Sequence, residues 1–90
     1  MRTHEPTREL LHHMIDELPK EVKLQCDMSD AIAARIVTIL KEKGMTQKDL
    51  SLAVGRSQGE VSRWLSGTHN FTLANLAKIS VALGCNVLAN

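Results

Sequence analysis

The sequence predicts an all-α domain, and three observations support this fold class. Aromatic residues make up only 2% of the 90 residues, so the core has to be built from aliphatic side chains. No stretch alternates apolar and polar residues over the length of a strand. Apolar residues instead recur every three or four positions in several segments that end at glycine or proline. A chain of this length forms one domain with one modest core.

The first predicted helix lies in the N-terminal region. Pro6 suits a first helical turn, and Pro19 ends the helical pattern. The connector that follows, residues 20–26, is compatible with either an extended or a helical conformation. We therefore divide the chain into residues 1–26, an amphipathic helix with its connector, and residues 27–90, the main domain. The apolar stripe of the N-terminal helix consists of Leu10, Leu11, Met14, Ile15 and Leu18.

The second predicted helix opens the main domain. Its N-cap is either Asp27 or Ser29, and Gly44 ends it. We expect this helix to pack behind the segment that follows it. Its apolar face consists of Ile32, Ile36, Ile39 and Leu40.

Residues 45–67, MTQKDLSLAVGRSQGEVSRWLSG, predict two short helices joined by a glycine turn. Thr46 caps the first helix, and Asp49 reaches back towards the cap. Gly55 supplies the positive φ that a tight exit requires. Ser57 and Glu60 form an S-x-x-E capping box, which starts the second helix two residues later. The predicted buried stripe of the first helix is Leu50, Ala53 and Val54.

The second helix of this pair has two different faces. Val61, Trp64 and Leu65 share one face, which is predicted to pack against the core. The opposite face is free to contact a ligand. It carries Gln58, Gly59, Ser62 and Arg63.

The last predicted helix begins after Thr72, which caps it, and ends at Gly84. The final residues, CNVLAN, leave room only for a helical stub, a turn or a short strand. The residues that alternate between core and surface in this helix are Leu73, Leu76, Ala77, Ile79, Ser80 and Leu83.

The charges are unevenly distributed, although the net charge is only +1. Residues 1–30 hold four Lys or Arg against seven Asp or Glu, whereas residues 31–90 hold seven against three. Five of the seven basic residues in the second part fall between Lys41 and Arg63. The helix pair therefore carries a modest positive charge that suits contact with phosphates.

Several classes of function are not expected from this sequence. Cys26 and Cys85 are isolated, which argues against a zinc site and gives no indication of a disulfide. The adjacent His12 and His13 point in different directions along a helix, which argues against a metal site. No phosphate-binding loop, nucleophile elbow or other catalytic motif occurs, so we expect no enzyme and no cofactor. No signal peptide or membrane span is evident, and a cytoplasmic protein is expected.

The helix pair resembles the lambda-repressor-like, Xre-type helix-turn-helix family, over roughly residues 32–83. The resemblance implies a compact bundle of four to five helices, to which the N-terminal helix is an addition. Arg56 stands where the family more often has an apolar residue, and Ser51 where alanine is commoner. Residues 66–84, SGTHNFTLANLAKISVALG, are also similar to a bacterial subset associated with HigA-like antitoxins. The residues that match the family pattern are Thr46, Gln47, Leu50, Ser51, Gly55, Ser57, Val61, Ser62, Trp64 and Gly67.

The resemblance implies a DNA-binding surface. In the family the second helix of the motif enters the major groove while the first crosses the backbone. Gln47 would then bind a phosphate at the positive end of the first helix. The exposed residues of the second helix, Gln58, Gly59, Ser62 and Arg63, would face the base edges or their flanking phosphates, since glutamine pairs with adenine and arginine with guanine. The full set implied is Gln47, Lys48, Arg56, Ser57, Gln58, Gly59, Ser62, Arg63, Thr68 and His69.

Each of these assignments has a simpler alternative. The polar side of the second helix would also suit a solvated surface without a ligand. Thr68 and His69 either donate to phosphate or belong to a capped loop. Trp64 is expected in the core rather than stacked on a base, because of its helical spacing from Val61.

Three functions follow from these expectations. The first is a sequence-specific regulator of transcription, a repressor that binds a double-stranded DNA operator as a homodimer. The second is an antitoxin that neutralises a protein toxin and regulates its own operon, which the 66–84 resemblance and the acidic N-terminal helix favour. The third is a scaffold that uses the fold only for protein contacts, and it predicts no salt-dependent affinity for DNA.

Overall fold

The computed structural model describes residues 18–67 and 70–89, which form four helices and contain no strand. The all-α fold class is therefore confirmed. The predicted helix that precedes Pro19 lies outside the described residues. In chain order the helices are α1 (Lys20–Lys43), α2 (Gln47–Val54), α3 (Gln58–Leu65) and α4 (Leu73–Leu83).

The start of α1 differs from the prediction. α1 begins at Lys20, directly after Pro19, and runs for 24 residues to Lys43, with Gly44 as its C-cap. The prediction that Asp27 or Ser29 caps this helix was wrong, because both residues lie inside it. A cap-forming side chain cannot begin a helix where the backbone before it is already helical, and no glycine or proline interrupts residues 20–43. The connector is thus helical, and the predicted domain division at 26/27 falls within α1.

The core is formed by aliphatic side chains around one tryptophan. α2 packs against α3 and α4, and α1 packs against α3. The two short helices of the motif are therefore held between the two longer ones. The largest fully buried side chains are Trp64, Ile36, Leu50, Ile79, Leu83 and Val61.

The buried side of α2 is displaced from the predicted stripe. Leu50 is buried and Val54 is half-buried, but Ala53 is exposed and Ser51 is buried instead. α2 has neighbours on two sides, so its buried side is centred on Leu50 and Ser51. The Ser51 hydroxyl donates a 2.7 Å hydrogen bond to the Lys48 carbonyl, which satisfies its buried oxygen.

The C-terminal residues form a turn that packs against the bundle. Val87 is buried, and its N–H donates to the Ser80 hydroxyl at 3.1 Å. The Arg35 guanidinium of α1 donates to the Ala89 carbonyl at 2.7 Å. Among the three alternatives for this segment, the structure thus contains a turn, and it connects α1 to the end of α4.

Gly67 provides a test of how the motif is attached to α1. Its φ is +85°, and a Cβ built on it would overlap the Asp30 carboxylate. We expect Gly67→Ala to lower the free energy of unfolding by about 1–3 kcal/mol, because the positive φ disfavours a side chain. The exposed Asp30 carboxylate ends a flexible side chain and can rotate away from an added methyl group at little cost. Urea denaturation followed by circular dichroism measures this loss.

Gly44→Ala is the matched control for that substitution. Gly44 also has a positive φ, of +66°, but an added Cβ there would meet no atom within 4 Å. The two substitutions should therefore lose a similar backbone contribution. A clearly larger loss at Gly67 would contradict this expectation and show that the Asp30 carboxylate cannot move aside.

Candidate nucleic-acid interface

The N-terminus of α2 is fixed by a reciprocal capping box, as the sequence predicts. The Thr46 hydroxyl accepts the Asp49 N–H at 3.0 Å, and the Asp49 carboxylate accepts the Thr46 N–H at 2.9 Å. Gln47 and Lys48 follow this cap directly and are exposed. The positive end of a helix favours anions, so this terminus presents a polar and a basic side chain where a phosphate would be favoured.

A tight glycine turn joins α2 to α3. Gly55 has a φ of +72°, and the Arg56 N–H donates to the Ser51 carbonyl at 3.0 Å. Ser57 then caps α3, so only three residues separate the two helices. The direction of α3 relative to α2 is therefore set by local backbone geometry as well as by packing.

The predicted capping box of α3 is only half formed. The Ser57 hydroxyl accepts the Glu60 N–H at 3.1 Å, as expected. The Glu60 carboxylate does not return to the cap and instead lies 3.7 Å from the Arg56 guanidinium. A charged partner one turn away competes with a neutral backbone amide. The i,i+4 spacing of Arg56 and Glu60 was the sequence signal for this ion pair, and the sequence analysis missed it.

The two faces of α3 are divided as the sequence predicts. Val61 and Trp64 are buried, and Leu65 is half-buried. The residues of the opposite side occupy positions i, i+1, i+4 and i+5, which lie together on a helix. All four are exposed: Gln58, Gly59, Ser62 and Arg63.

Neither the packing nor the backbone conformation at Gly59 requires a glycine. The atom nearest to an added Cβ is the Ser57 hydroxyl oxygen, at an ordinary contact distance of 3.9 Å. Its φ is not positive either. A glycine in this first helical turn therefore leaves a low point on the exposed surface of α3 without serving the fold.

The described members of the predicted DNA-binding set lie on α2, on the glycine turn and on α3. Gln47 and Lys48 begin α2, Arg56 and Ser57 form the turn, and the other described members lie on the exposed side of α3. Thr68 and His69 lie outside the described residues. All eight described members are exposed, and they lie on two helices that pack directly against each other and on the turn between these helices.

The basic residues around this surface are exposed, and two nearby acidic groups have partners. Asp49 is engaged in the α2 cap, and Glu60 lies beside Arg56. The surface consequently carries a modest excess of positive charge, which suits a polyanion. The exposed basic side chains between residues 41 and 63 are Lys41, Lys43, Lys48, Arg56 and Arg63.

The described part of the chain contains no group of three or more His, Cys, Asp or Glu side chains that could hold a metal ion. Cys26 is exposed, Cys85 is half-buried, and both are free thiols. None of the four helices is both long enough and apolar enough to cross a membrane.

The capped helix pair, its glycine turn and its exposed second helix define a helix-turn-helix protein. A family model described as helix-turn-helix matches residues 36–88, which is more than half of the chain. The chain belongs to this Xre/lambda-repressor-like helix-turn-helix family. No curated protein and no solved structure matches it. Membership supports a DNA-binding regulator of transcription, in a family that is generally non-enzymatic.

The α2 cap predicts a specific response to acid. Hydrogen bonds from the Thr46 N–H and hydroxyl, assisted by Lys48, hold the pKa of Asp49 below its usual value. A carboxyl group whose pKa is lower in the folded state stabilises the fold above its unfolded pKa. We therefore expect this contribution to be lost as the pH falls from about 5 through the folded pKa.

An NMR titration of the Asp49 carboxyl carbon measures this pKa, and Asp49→Asn should reduce the acid-dependent loss of stability. An Asp49 midpoint at or above the usual aspartate value would contradict the role of the cap.

Proposed function

We propose that the protein is a sequence-specific repressor that binds double-stranded DNA as a homodimer on a roughly palindromic operator. The observation that carries this proposal is the geometry of α3. One face is fixed in the core by Val61 and Trp64, while the opposite face leaves four residues exposed. A rigidly held helix with a polar outer face and one glycine fits the major groove.

The exposed residues of α3 would recognise the base sequence of the operator. Gln58 can pair through two hydrogen bonds with adenine, and Arg63 with guanine. The Ser62 hydroxyl can donate to or accept from any base, so it adds affinity with less discrimination. Gly59 would allow close approach of the helix, for example beside a thymine methyl group.

The residues of α2 and the turn would position the protein on the backbone. Gln47 and Lys48 would contact a phosphate at the N-terminus of α2. The Ser57 oxygen accepts the Glu60 N–H, and its own proton remains to be donated to a phosphate. Arg56 shares its charge with Glu60, so it is expected to be a weaker phosphate contact than Lys48. Thr68 and His69 remain predicted phosphate contacts.

Homodimerisation follows from the small number of base contacts that one domain can make. Three side chains that can hydrogen-bond to bases read only a few base pairs, and each such pair contributes limited discrimination. Two copies on half-sites about one helical turn apart double the contacts. Repression is the simplest consequence, since a domain bound to an operator occupies DNA that the transcription machinery would otherwise use.

An antitoxin is the second candidate function. It is supported by the similarity of residues 66–84 to HigA-like antitoxins and by the excess of acidic residues in residues 1–30. In that case DNA binding would serve autoregulation, and a protein toxin would be an additional partner. A gene for a small basic protein beside this one would favour the antitoxin, and a neighbourhood without such a gene would count against it.

Loss of one base contact is the direct test of the repressor. We expect Arg63→Ala to weaken operator binding by about 1–3 kcal/mol, because it removes a bidentate contact to a base. Fluorescence anisotropy against DNA from upstream of the gene, at several salt concentrations and beside a scrambled duplex, measures it.

Lys78→Ala is the matched control, since Lys78 is an exposed cation of α4 outside the proposed surface. It should leave the preference for the operator unchanged. If wild-type protein binds operator and scrambled DNA equally well, the sequence-specific repressor is wrong. If Arg63→Ala retains the full preference, Arg63 does not read a base.

Gly59→Ala separates folding from DNA binding. Nothing inside the protein opposes a Cβ there, and alanine favours a helix, so stability should rise by about 0.5 kcal/mol. We expect operator affinity to fall, because the added methyl group would separate α3 from the groove. Thermal melting and anisotropy on the same samples measure the two effects. Unchanged affinity would place Gly59 away from the DNA.

A further inference from the structure

The two short helices of the motif begin with the same kind of sequence but have different caps. In both, a hydroxyl residue is followed three positions later by an acid, which is the pattern of a capping box. At α2 the Asp49 carboxylate accepts the Thr46 N–H at 2.9 Å, so that box is closed. At α3 the Glu60 carboxylate does not accept the Ser57 N–H, so that box is open on one side.

The residue before each cap differs in charge. Met45, before the α2 cap, offers no charge to an acid, whereas Arg56, before the α3 cap, carries a guanidinium. The Arg56 backbone is fixed because its N–H donates to the Ser51 carbonyl at 3.0 Å. From there its Nη1 lies 3.7 Å from the Glu60 Oε2. Two donors therefore compete for one carboxylate, the Arg56 guanidinium and the Ser57 N–H, and the guanidinium holds it.

The contact between Arg56 and Glu60 is weak. A charge-assisted hydrogen bond spans about 2.7–2.9 Å, and the 3.7 Å between these two atoms is longer. The two side chains are 36% and 34% exposed, so water and salt screen their attraction. Exposed pairs of this kind contribute little to stability. The pair can therefore open when the guanidinium meets a stronger partner.

A DNA phosphate is such a partner for Arg56. A guanidinium binds a phosphate through two parallel N–H bonds, which its single contact with Glu60 does not match. The carboxylate that Arg56 leaves also has a second partner, because the Ser57 N–H lies at the N-terminus of α3, where an acid is favoured. These two side chains thus have one arrangement that suits the free protein and another that suits the protein on DNA.

A single charge matters on this surface because the helix pair carries few charges. Residues 45–67 contain three basic and two acidic residues. The contact with Glu60 withdraws one of the three cations, Arg56, from a polyanion. Phosphate contacts supply affinity without regard to sequence. Withdrawing one of them lowers the affinity for every duplex and leaves a larger share of the binding energy to the base contacts.

We propose that Glu60 is a positioning residue that limits DNA affinity through Arg56. In the free protein its carboxylate holds the guanidinium against α3. On DNA the Arg56 side chain moves to a phosphate, and the Glu60 carboxylate closes the α3 capping box. Opening the pair costs free energy in every binding event, so Glu60 keeps sequence-independent binding weak. This inference deepens the proposed function and rests on it for the surface that meets the DNA.

A double-mutant cycle in the full chain tests this role. Glu60→Gln removes the charge but keeps a side chain that can close a capping box, so α3 is preserved. It should raise the affinity for the operator and for a scrambled duplex about two- to fivefold, because no pair has to open. Glu21→Gln is the matched control, since it removes the same charge from the exposed first turn of α1. It should leave both affinities nearly unchanged in fluorescence anisotropy.

The sign of the coupling decides between two roles of Arg56. The gain from Glu60→Gln should be larger with Arg56 present than in the Arg56→Gln background, because only Arg56 has a contact to release. Arg56→Gln should also make the slope of log K against log salt shallower by about 0.9, as loss of one phosphate contact does. A larger gain in the Arg56→Gln background would overturn the proposal, since Arg56 would then only shield Glu60 from phosphates. Equal gains would overturn it too, because the two residues would act independently.

Amide exchange without DNA gives a second, independent measurement. In free Arg56→Gln the Glu60 carboxylate should close the α3 cap, so the Ser57 N–H should exchange more slowly than in the wild type. An unchanged rate would overturn the exchange of partners. Circular dichroism of each variant confirms that its helix content equals that of the wild type.

The scrambled duplex separates this inference from the proposed function, because phosphate contacts do not depend on sequence. Coupling of the expected sign in a protein that shows no preferred DNA sequence would refute the repressor and leave the role of Glu60 intact. A preference for the operator without coupling between Arg56 and Glu60 would do the reverse. A protein that binds neither duplex would overturn both.

Discussion

The burial of one face of α3 is the constraint on which the rest of the structure depends. α3 has only eight residues, and a helix of that length is not stable alone in water. Val61 and Trp64 fix it against α1 and α2, and their burial determines which side chains remain outside. The polar surface proposed to read DNA is therefore positioned by the core. A substitution that loosens Trp64 would move that surface even though the tryptophan is buried on the opposite face of α3.

The short helices also depend on their ends. Thr46, Ser57 and Thr72 each accept a backbone N–H of the first turn that follows. Such a bond satisfies one of the amides that a helix leaves unpaired, which matters most where a helix has only two turns. Each hydroxyl oxygen takes one amide, and at α2 the Asp49 carboxylate also takes the Thr46 N–H, so it is the exposed Gln47 and Lys48 side chains that remain available to an anion. Stability and the proposed phosphate contacts thus use the same helix ends without competing for the same atoms.

The sequence predicted what local chemistry determines and failed where neighbours compete. The bounds of α2, α3 and α4 follow from caps and glycines, and the division of α3 into two faces follows from helical spacing. Asp27 failed as a cap because the backbone before it is helical, and Ala53 failed as a core residue because two helices pack against α2. Glu60 had two candidate partners, and sequence alone cannot rank them. The contacts proposed for Gln58 and Arg63 form only with DNA, so neither helical spacing nor capping determines them.

The exposed side of α3 and the core of the bundle can vary separately. α3 packs against α1 and α2 through Val61 and Trp64, and the side chains of its opposite face stay outside. A change of sequence preference at Gln58 or Arg63 would therefore leave the packing of the helices unaltered. In the proposed homodimer the two copies would nevertheless act together on an operator, because binding of one copy places the other close to the second half-site. Repression would then respond more steeply to the amount of protein than the binding of single copies does.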